Sequence, residues 1–437
     1  IKPYVEHIWI FQKPCSCHHL AYQYHCKKIP RNAGVFCMKL DFFSTISPMR
    51  RIAFIAVLHN AWFWVPIWVL YYRRFTNYSG VALLEALSMA VSMLMIVPGG
   101  ILSDRIGRIR LLIIASICAF LGAIGTGLAP TFFYLILFIL LLSFAGGLYQ
   151  SSIHALIYDT LKSRSQEHRY ERVLGKFTTV QMLSAAFASA VGGFLYQLDP
   201  RYPWFAVALC TGISVFIITT LHEPLVETVH DSFQQFIKES GKGVALLFRK
   251  KWRIGLPLIG IGIFLTTDSS GLWDIQAVEF GFSSTQLGIL LTCTYLVLAG
   301  ISFFMPHMLR RIHEQKVIIG SGMLFLLCWF ASSFVFGLSG ALLLIARPLA
   351  SVVFDMKASV IWNRMIPSHV RATTLSTISI IRGIPYIAVS WGMGIVLDTI
   401  GIRPLVRTFS FLLLFVCLGT WLLWRSNHIN HTDSRFL

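Results

Sequence analysis

Five ionisable side chains stand inside long apolar runs of this sequence: His59, Glu85, Asp268, Arg347 and Arg382. A charge in an apolar medium is costly, so such a group is kept there to pair with an opposite charge or to take and release a proton. Asp268 lies in the polar island Thr266-Thr267-Asp268-Ser269-Ser270. Two chemistries are open to the set. Asp268 or Glu85 takes a proton while Arg382 or Arg347 balances it, or the same groups form a fixed ion pair that ties two parts of the chain together. His59, followed by Asn60, and His154 read first as hydrogen-bonded polar residues, with a place on a solute or proton path as the alternative. Gln150 stands one turn before His154 in the same run.

Aromatic residues form a second set. Trp62, Trp64 and Trp68, with Trp273, Tyr386 and Trp391, are suited to an apolar cavity for amphiphilic or cationic solutes. Some must instead anchor helices at a membrane–water boundary. Trp68, Tyr71 and Tyr72 fit that second role, and Trp64 fits the cavity. An enzyme would need clustered metal ligands or a nucleophile–base pair at one depth, and neither a His-x-x-x-His cluster nor a triad is present. No Gly-x4-Gly-Lys-Ser/Thr loop cradles a phosphate, which argues against direct ATP coupling. No cofactor is implied.

Bilayer is the natural solvent for the elements that hold these residues. The chain has 437 residues, 13% charged and 56% hydrophobic, with mean hydropathy +0.68. Soluble domains are about a quarter charged. A membrane-spanning helix takes about 20 residues, and apolar runs of that kind recur at 52–72, 81–102, 109–128, 132–157, 175–196, 203–222, 254–273, 285–305, 317–337, 339–357, 373–397 and 404–424. The reading is an all-α membrane protein of twelve transmembrane helices. Pro66 should kink the first. The net charge of +18 fits cytoplasmic loops facing anionic lipid rather than nucleic acid. Scattered cysteines, five of them in apolar runs, read as free thiols.

Lys and Arg orient the spans. Arg50, Arg51, Arg105, Arg108, Arg110, the 159–176 loop, Arg310, Arg311, Lys316, Arg364 and Arg371 fall on one side, leaving Arg73, Arg74, Arg201, Arg403 and Arg407 on the other. The positive-inside rule then puts both termini in the cytoplasm and the chain in the plasma (inner) membrane. Residues 1–37 read as an extension called too early, because Met38-Lys39-Leu40 makes a natural start; a zinc site at Cys15, Cys17, His18 and His19 is the alternative. A six-helix half over 38–222, a linker over 223–252 with an amphipathic helix, a second half over 253–425 and a tail over 426–437 complete the division.

Between the second and third runs stands Gly99-Gly100-Ile101-Leu102-Ser103-Asp104-Arg105-Ile106-Gly107-Arg108. Two apolar helices joined so briefly must turn back sharply, which calls for glycine, and its charges place the turn at a membrane surface. The pattern G-x-x-x-D-R-x-G-R resembles the signature loop of the major facilitator superfamily of transporters. Tyr158-Asp159-Thr160-Leu161 and the stretch Asn363-Arg364-Met365-Ile366-Pro367-Ser368, continued by Arg371, are similar to a bacterial branch of that superfamily read as efflux transporters. The resemblance spans about 48–425. It implies two pseudo-symmetric halves of six helices, and 306–316 does echo 100–110 with its charges kept and its Asp and glycines gone. It also implies a gate, in which Asp104 faces the start of the eleventh span and Arg108 pairs with Asp159, with Gly100, Arg105, Gly107 and Arg371 framing the contact. The fifth span departs from the drug/proton antiporter pattern. Gly175, Ser184, Ala188, Ser189, Gly192 and Gly193 keep the small sizes, but the proline is missing, as is an Arg midway along the fourth span.

The resulting expectation is a monomeric secondary transporter moving a small, partly apolar solute by alternating access, most simply as proton-coupled export. Proton-coupled uptake of a small organic anion or sugar is the alternative, and a membrane enzyme or a non-transporting sensor stands further off. The partners expected are a small-molecule substrate, protons and membrane lipid.

Overall fold

The computed structural model describes residues 47–223, 252–309, 312–335, 337–366 and 371–430. The extension 1–37, the linker helix within 224–251, and Arg310, Arg311, Pro367 and Ser368 lie outside the described residues, as does the side chain of Arg371. The described residues are helical throughout, joined by short turns. In chain order they form α1 (Pro48–His59), α2 (Trp68–Tyr72), α3 (Tyr78–Ile106), α4 (Arg108–Leu128), α5 (Phe132–Lys162), α6 (Tyr170–Leu198) and α7 (Tyr202–Ile218). After the linker come α8 (Trp252–Thr267), a π-turn (Asp268–Leu272), α9 (Trp273–Glu279), α10 (Ser284–Leu309), α11 (Glu314–Ala331), α12 (Gly337–Met365), α13 (Arg371–Ile400) and α14 (Ile402–Asn430). Ten helices among the described residues are long and apolar enough to cross a membrane, α8 to α9 counting as one of them.

Two expected spans are broken. The first is helical to His59, leaves the helix over 60–67 and resumes at Trp68. The seventh passes through the π-turn, where Gly271 adopts φ 144°, a conformation open to glycine and to few other residues. Tyr386 from α13 donates to the carbonyl of Ser270 at 2.6 Å, which satisfies a backbone group freed by the break. The short pieces α2 and α9 pack on one another.

That break corrects one expectation. Trp68, Tyr71 and Tyr72 are not boundary anchors; all three are buried. With the helix interrupted at 60–67, α2 turns into the protein, where the Tyr71 hydroxyl donates to the Thr126 carbonyl at 2.8 Å. Trp64, expected to line a cavity, stacks on Trp204 with ring centroids 5.9 Å apart.

Helices α1 to α7 pack mainly among themselves, as do α8 to α14, and the largest contacts between the two groups are α6 with α10 and α3 with α13. Small residues make these approaches possible. A Cβ on Gly192 would lie 1.9 Å from the Phe63 carbonyl oxygen, and one on Gly193 would lie 2.3 Å from the Ser284 carbonyl oxygen. Ser184 donates to the Val57 carbonyl at 2.7 Å. Gly175 in the same helix has open space beside it. Gly192→Leu is therefore expected to destabilise the protein by about 1–3 kcal/mol through overpacking, whereas Gly175→Ala is neutral or stabilising by up to about 1 kcal/mol because it lowers the entropy cost of the helix. Thermal melting of the two variants in detergent checks the contrast.

Candidate functional site

Three groups of polar residues stand out: a turn at one end of the bundle, a buried ion pair near its middle, and a cavity between the two helix groups. At the turn, α3 ends and α4 begins on the single residue Gly107, with φ 97°. Arg108 forms an ion pair with Asp159 at the far end of α5 and approaches Asp104 at 3.3 Å. The sequence reading missed a fourth member. Glu223, just after α7, accepts from the backbone N–H groups of Arg108 at 2.6 Å and Ile109 at 3.0 Å. It thereby caps the positive end of α4, and a Cβ on Gly107 would lie 3.1 Å from it. An acid placed where the sixth apolar run ends was the available signal. Arg105 is exposed. Gly100 has open space beside it, whereas a Cβ on Gly99 would meet the Ser151 hydroxyl at 2.5 Å.

A second ion pair occupies the equivalent place in the other group. Arg364, near the end of α12, contacts Glu314 at the start of α11 at 2.8 Å. These positions follow Asp159 and Arg108 by about 205 residues, the displacement of the sequence echo, with the signs reversed. Arg364 is largely solvent-exposed where Arg108 is nearly buried, so the second pair is the weaker.

In the middle of the second group Arg347 is fully buried. Its Nε donates to Asp268 at 3.1 Å, its second terminal nitrogen bonds the other carboxylate oxygen, and its first bonds the Gln276 side-chain oxygen. Gln276 in turn donates to the Ser332 carbonyl at 2.9 Å. The arrangement is bidentate, with both Asp268 carboxylate oxygens on the Arg347 guanidinium. Glu85 is differently placed. It forms no ion pair among the described residues, and it interacts electrostatically with Asp274 on α9, a carboxyl the sequence reading passed over. Tyr72 and Tyr386 also lie within electrostatic reach of Glu85.

Arg382 belongs to the third group. It pairs with Asp355 of α12 at 2.8 Å, on the wall of a cavity of about 290 Å³ lined by Met93, Thr266, Ser269, Ser351 and Ser379 among others. Met93 comes from α3 and the rest from the second group, so the cavity lies between the two. Its lining is richer in hydroxyls and charge than the apolar, aromatic cavity expected. Trp273 donates to the Leu344 carbonyl at 2.7 Å and is core, Tyr386 supports the π-turn, and Trp391 is exposed on the bundle's outside.

The remaining sequence candidates lie elsewhere. His59 is held by Ser116 at 2.8 Å and Ser214 at 3.1 Å and stacks on Tyr149, all within the first group. Asn60 donates to the Ala56 carbonyl at 2.9 Å. Gln150 is exposed, and His154 meets the Phe177 ring edge-on. Among the described residues no three His, Cys, Asp or Glu side chains gather as metal ligands.

Removing one partner of a buried pair strands the other charge, at a cost of about 3–5 kcal/mol, while replacing both by apolar residues is tolerated far better. Arg347→Met is thus expected to lower the melting temperature strongly, and Asp268→Leu/Arg347→Met to recover most of the loss. Thermal melting in detergent distinguishes the two.

Solved structures of similar fold include several transporters. The chain is similar to the nucleoside transporter NupG at TM-score 0.73 and 15% identity, covering 87% of this chain and 99% of that one. It is similar to a D-xylose-proton symporter at 0.65 and 13%, covering 89% and 97%, and to the human organic anion transporter MFSD10 at 0.57 and 16%, covering 86% and 100%. No curated protein matches the chain by sequence. The family model of the Major Facilitator Superfamily matches residues 52–366, and with that match over most of its length, on a bundle of apolar helices long enough to cross a membrane, the chain belongs to the Major Facilitator Superfamily of membrane transporters.

Proposed function

We propose that this transporter moves a small polar solute, hydroxyl-bearing or anionic, by alternating access, with protons as the coupling ion. The observation that carries the solute class is the cavity between the helix groups. Thr266, Ser269, Ser351 and Ser379 offer hydroxyls, and Arg382 with Asp355 offers an ion pair that a solute anion can enter. Such groups hydrogen-bond a polyol or a carboxylate and leave a lipophilic cation poorly matched. This favours the sugar or organic-anion reading over export of a partly apolar molecule.

Twelve crossings are inferred by adding two to the ten long apolar helices: the interrupted span of α1 and α2, and α7, which is apolar but short. The two ion pairs displaced by about 205 residues support two related halves of six. Arg105, Arg108, Arg110, Lys162, Arg164 and Arg364 gather at the end of the bundle that holds Asp104, which supports a cytoplasmic assignment for that end in the plasma membrane. The cavity lies within one chain, consistent with a monomer as the working unit.

At the opposite, outer end the halves touch through Gly193 with Ser284 and through Gly394 with Ser79. Ser379, on the cytoplasmic side of Arg382, is exposed, and the Asp355 side chain is half-exposed. The conformation is therefore read as inward-facing. Asp104 and Arg371 are assigned to closing the inner side when the outer one opens. Glu85, with Asp274 opposite it across the halves, is the best-placed proton carrier, since Asp268 is held by Arg347.

The test is solute counterflow into proteoliposomes under an imposed proton gradient, read with a pH-sensitive dye. Sugars, nucleosides or organic anions are expected to move with protons. Glu85→Gln is expected to abolish proton movement while facilitated exchange continues, and Arg382→Gln to cut exchange at least tenfold with little change in melting temperature. Proton release on adding lipophilic cations, with no response to polar solutes, would replace this reading by export through antiport.

A further inference from the structure

Helices α3 and α13 run antiparallel across the boundary between the halves, and at the outer end the start of α3 lies beside the end of α13. Asp398 stands two residues before the end of α13. It accepts from the backbone N–H of Tyr78 at 2.8 Å and of Ser79 at 2.9 Å, the first two residues of α3. Both carboxylate oxygens are used, and both donors are groups that a helix start otherwise leaves without a partner. The approach is as close as backbones allow: a Cβ on Gly394, one turn earlier, would lie 2.5 Å from the Ser79 Cα. The Tyr78 hydroxyl also bonds Glu279 at the end of α9, and the Arg73 guanidinium lies over the Tyr78 ring at 4.0 Å. All these contacts fall at the outer end, and those of Asp398 and Glu279 join one half to the other.

Asp104 stands in the same position on the partner helix, two residues before the end of α3. We infer that Asp398 on the start of α3 is a latch that holds the outer side closed, the counterpart of the inner gate that the resemblance assigns to Asp104 and the start of α13, one contact being made as the other is broken. The inference rests on the alternating-access reading above and adds the outer half of the switch. A carboxylate on a helix start suits this work. It is strong enough to bias a population several-fold, and each carboxylate can be rehydrated at its membrane surface when the contact opens. At the other outer corner, between α6 and α10, the hydrogen bond across the boundary is between neutral side chains, Thr285 donating to Gln197 at 2.8 Å. The charged corner is accordingly the one that sets the balance.

Ser284 is nearly buried against Gly193 at the outer closure, so a cysteine in its place reports outer opening. The experiment is labelling of Ser284→Cys in the full chain in intact cells by a membrane-impermeant maleimide, with the signal of the chain lacking that substitution subtracted. Asp398→Ala is expected to raise the labelling rate about fivefold, and Asp104→Ala to lower it. Tyr78→Phe, which removes only the hydroxyl contact to Glu279, is expected to raise it about twofold and keeps the question answerable if Asp398→Ala does not reach the membrane. Labelling that is unchanged or slower in the Asp398 variant, or unchanged in the Tyr78 variant where that one alone is obtained, overturns the latch. No solute enters this measurement, so its outcome is separate from that of the counterflow test: a chain that transports nothing offered can still show the latch, and a working transporter can lack it.

Discussion

Lipid offers no hydrogen bonds, and that single constraint orders the polar chemistry of this protein. A charge in the middle of the bundle must be answered from within the chain, as Arg347 is by Asp268 and Gln276. A backbone carbonyl released by a broken helix must be answered too, as Ser270 is by Tyr386. Where water is near, the same kinds of group are answered by single, separable contacts. The strength of each polar contact therefore follows its depth, and depth separates the parts of the molecule that hold from the parts that change.

The same division follows the boundary between the halves. Inside each half, pairing is dense and buried: Arg108 on Asp159, His59 between Ser116 and Ser214, Arg347 on Asp268. Across the boundary the contacts are of another kind. They are small-residue approaches at Gly193 and Gly394, neutral hydrogen bonds such as Thr292 to the Ala186 carbonyl at 2.8 Å, and the Asp398 carboxylate on the start of α3. Van der Waals contact between small residues is lost over a fraction of an ångström, and a carboxylate at the membrane surface is readily rehydrated. Two bodies joined this way can rock without breaking what makes each of them rigid. A central cavity with an ion pair on its wall then lies where the motion is felt.

The sequence made the apolar helices legible because the bilayer imposes length and composition on each of them. It also made the turn at Gly107 legible, since glycine, Asp and Arg at those spacings serve one geometry. The breaks at 60–67 and 268–272 were harder to read. Pro66 marked the first only as a kink, and the polar island 266–270 read as a place for chemistry when it is equally a place where the helix opens. Once the first span is interrupted, the register of its outer piece is free. Trp68, Tyr71 and Tyr72 then became core, although their types and position fitted a boundary. Pairing across long separations was beyond reach for a different reason. Nothing local distinguishes Asp268, which found Arg347, from Glu85, which found another carboxyl.

Asp398, Glu223 and Glu279 sit near helix ends, and Asp355 sits where an apolar run of the sequence closes, places where an acid looks like ordinary surface. All four answer a group on a different element, and Glu223 and Asp398 answer backbone N–H groups, which carry no side-chain identity to be read in a sequence. A helix start is a partner of fixed sign whatever its residues are. A protein that must exchange one closed end for the other gains from using it. The backbone dipole does not titrate, so in the latch inferred above it is the carboxylate whose hydration decides whether the outer contact is held or released.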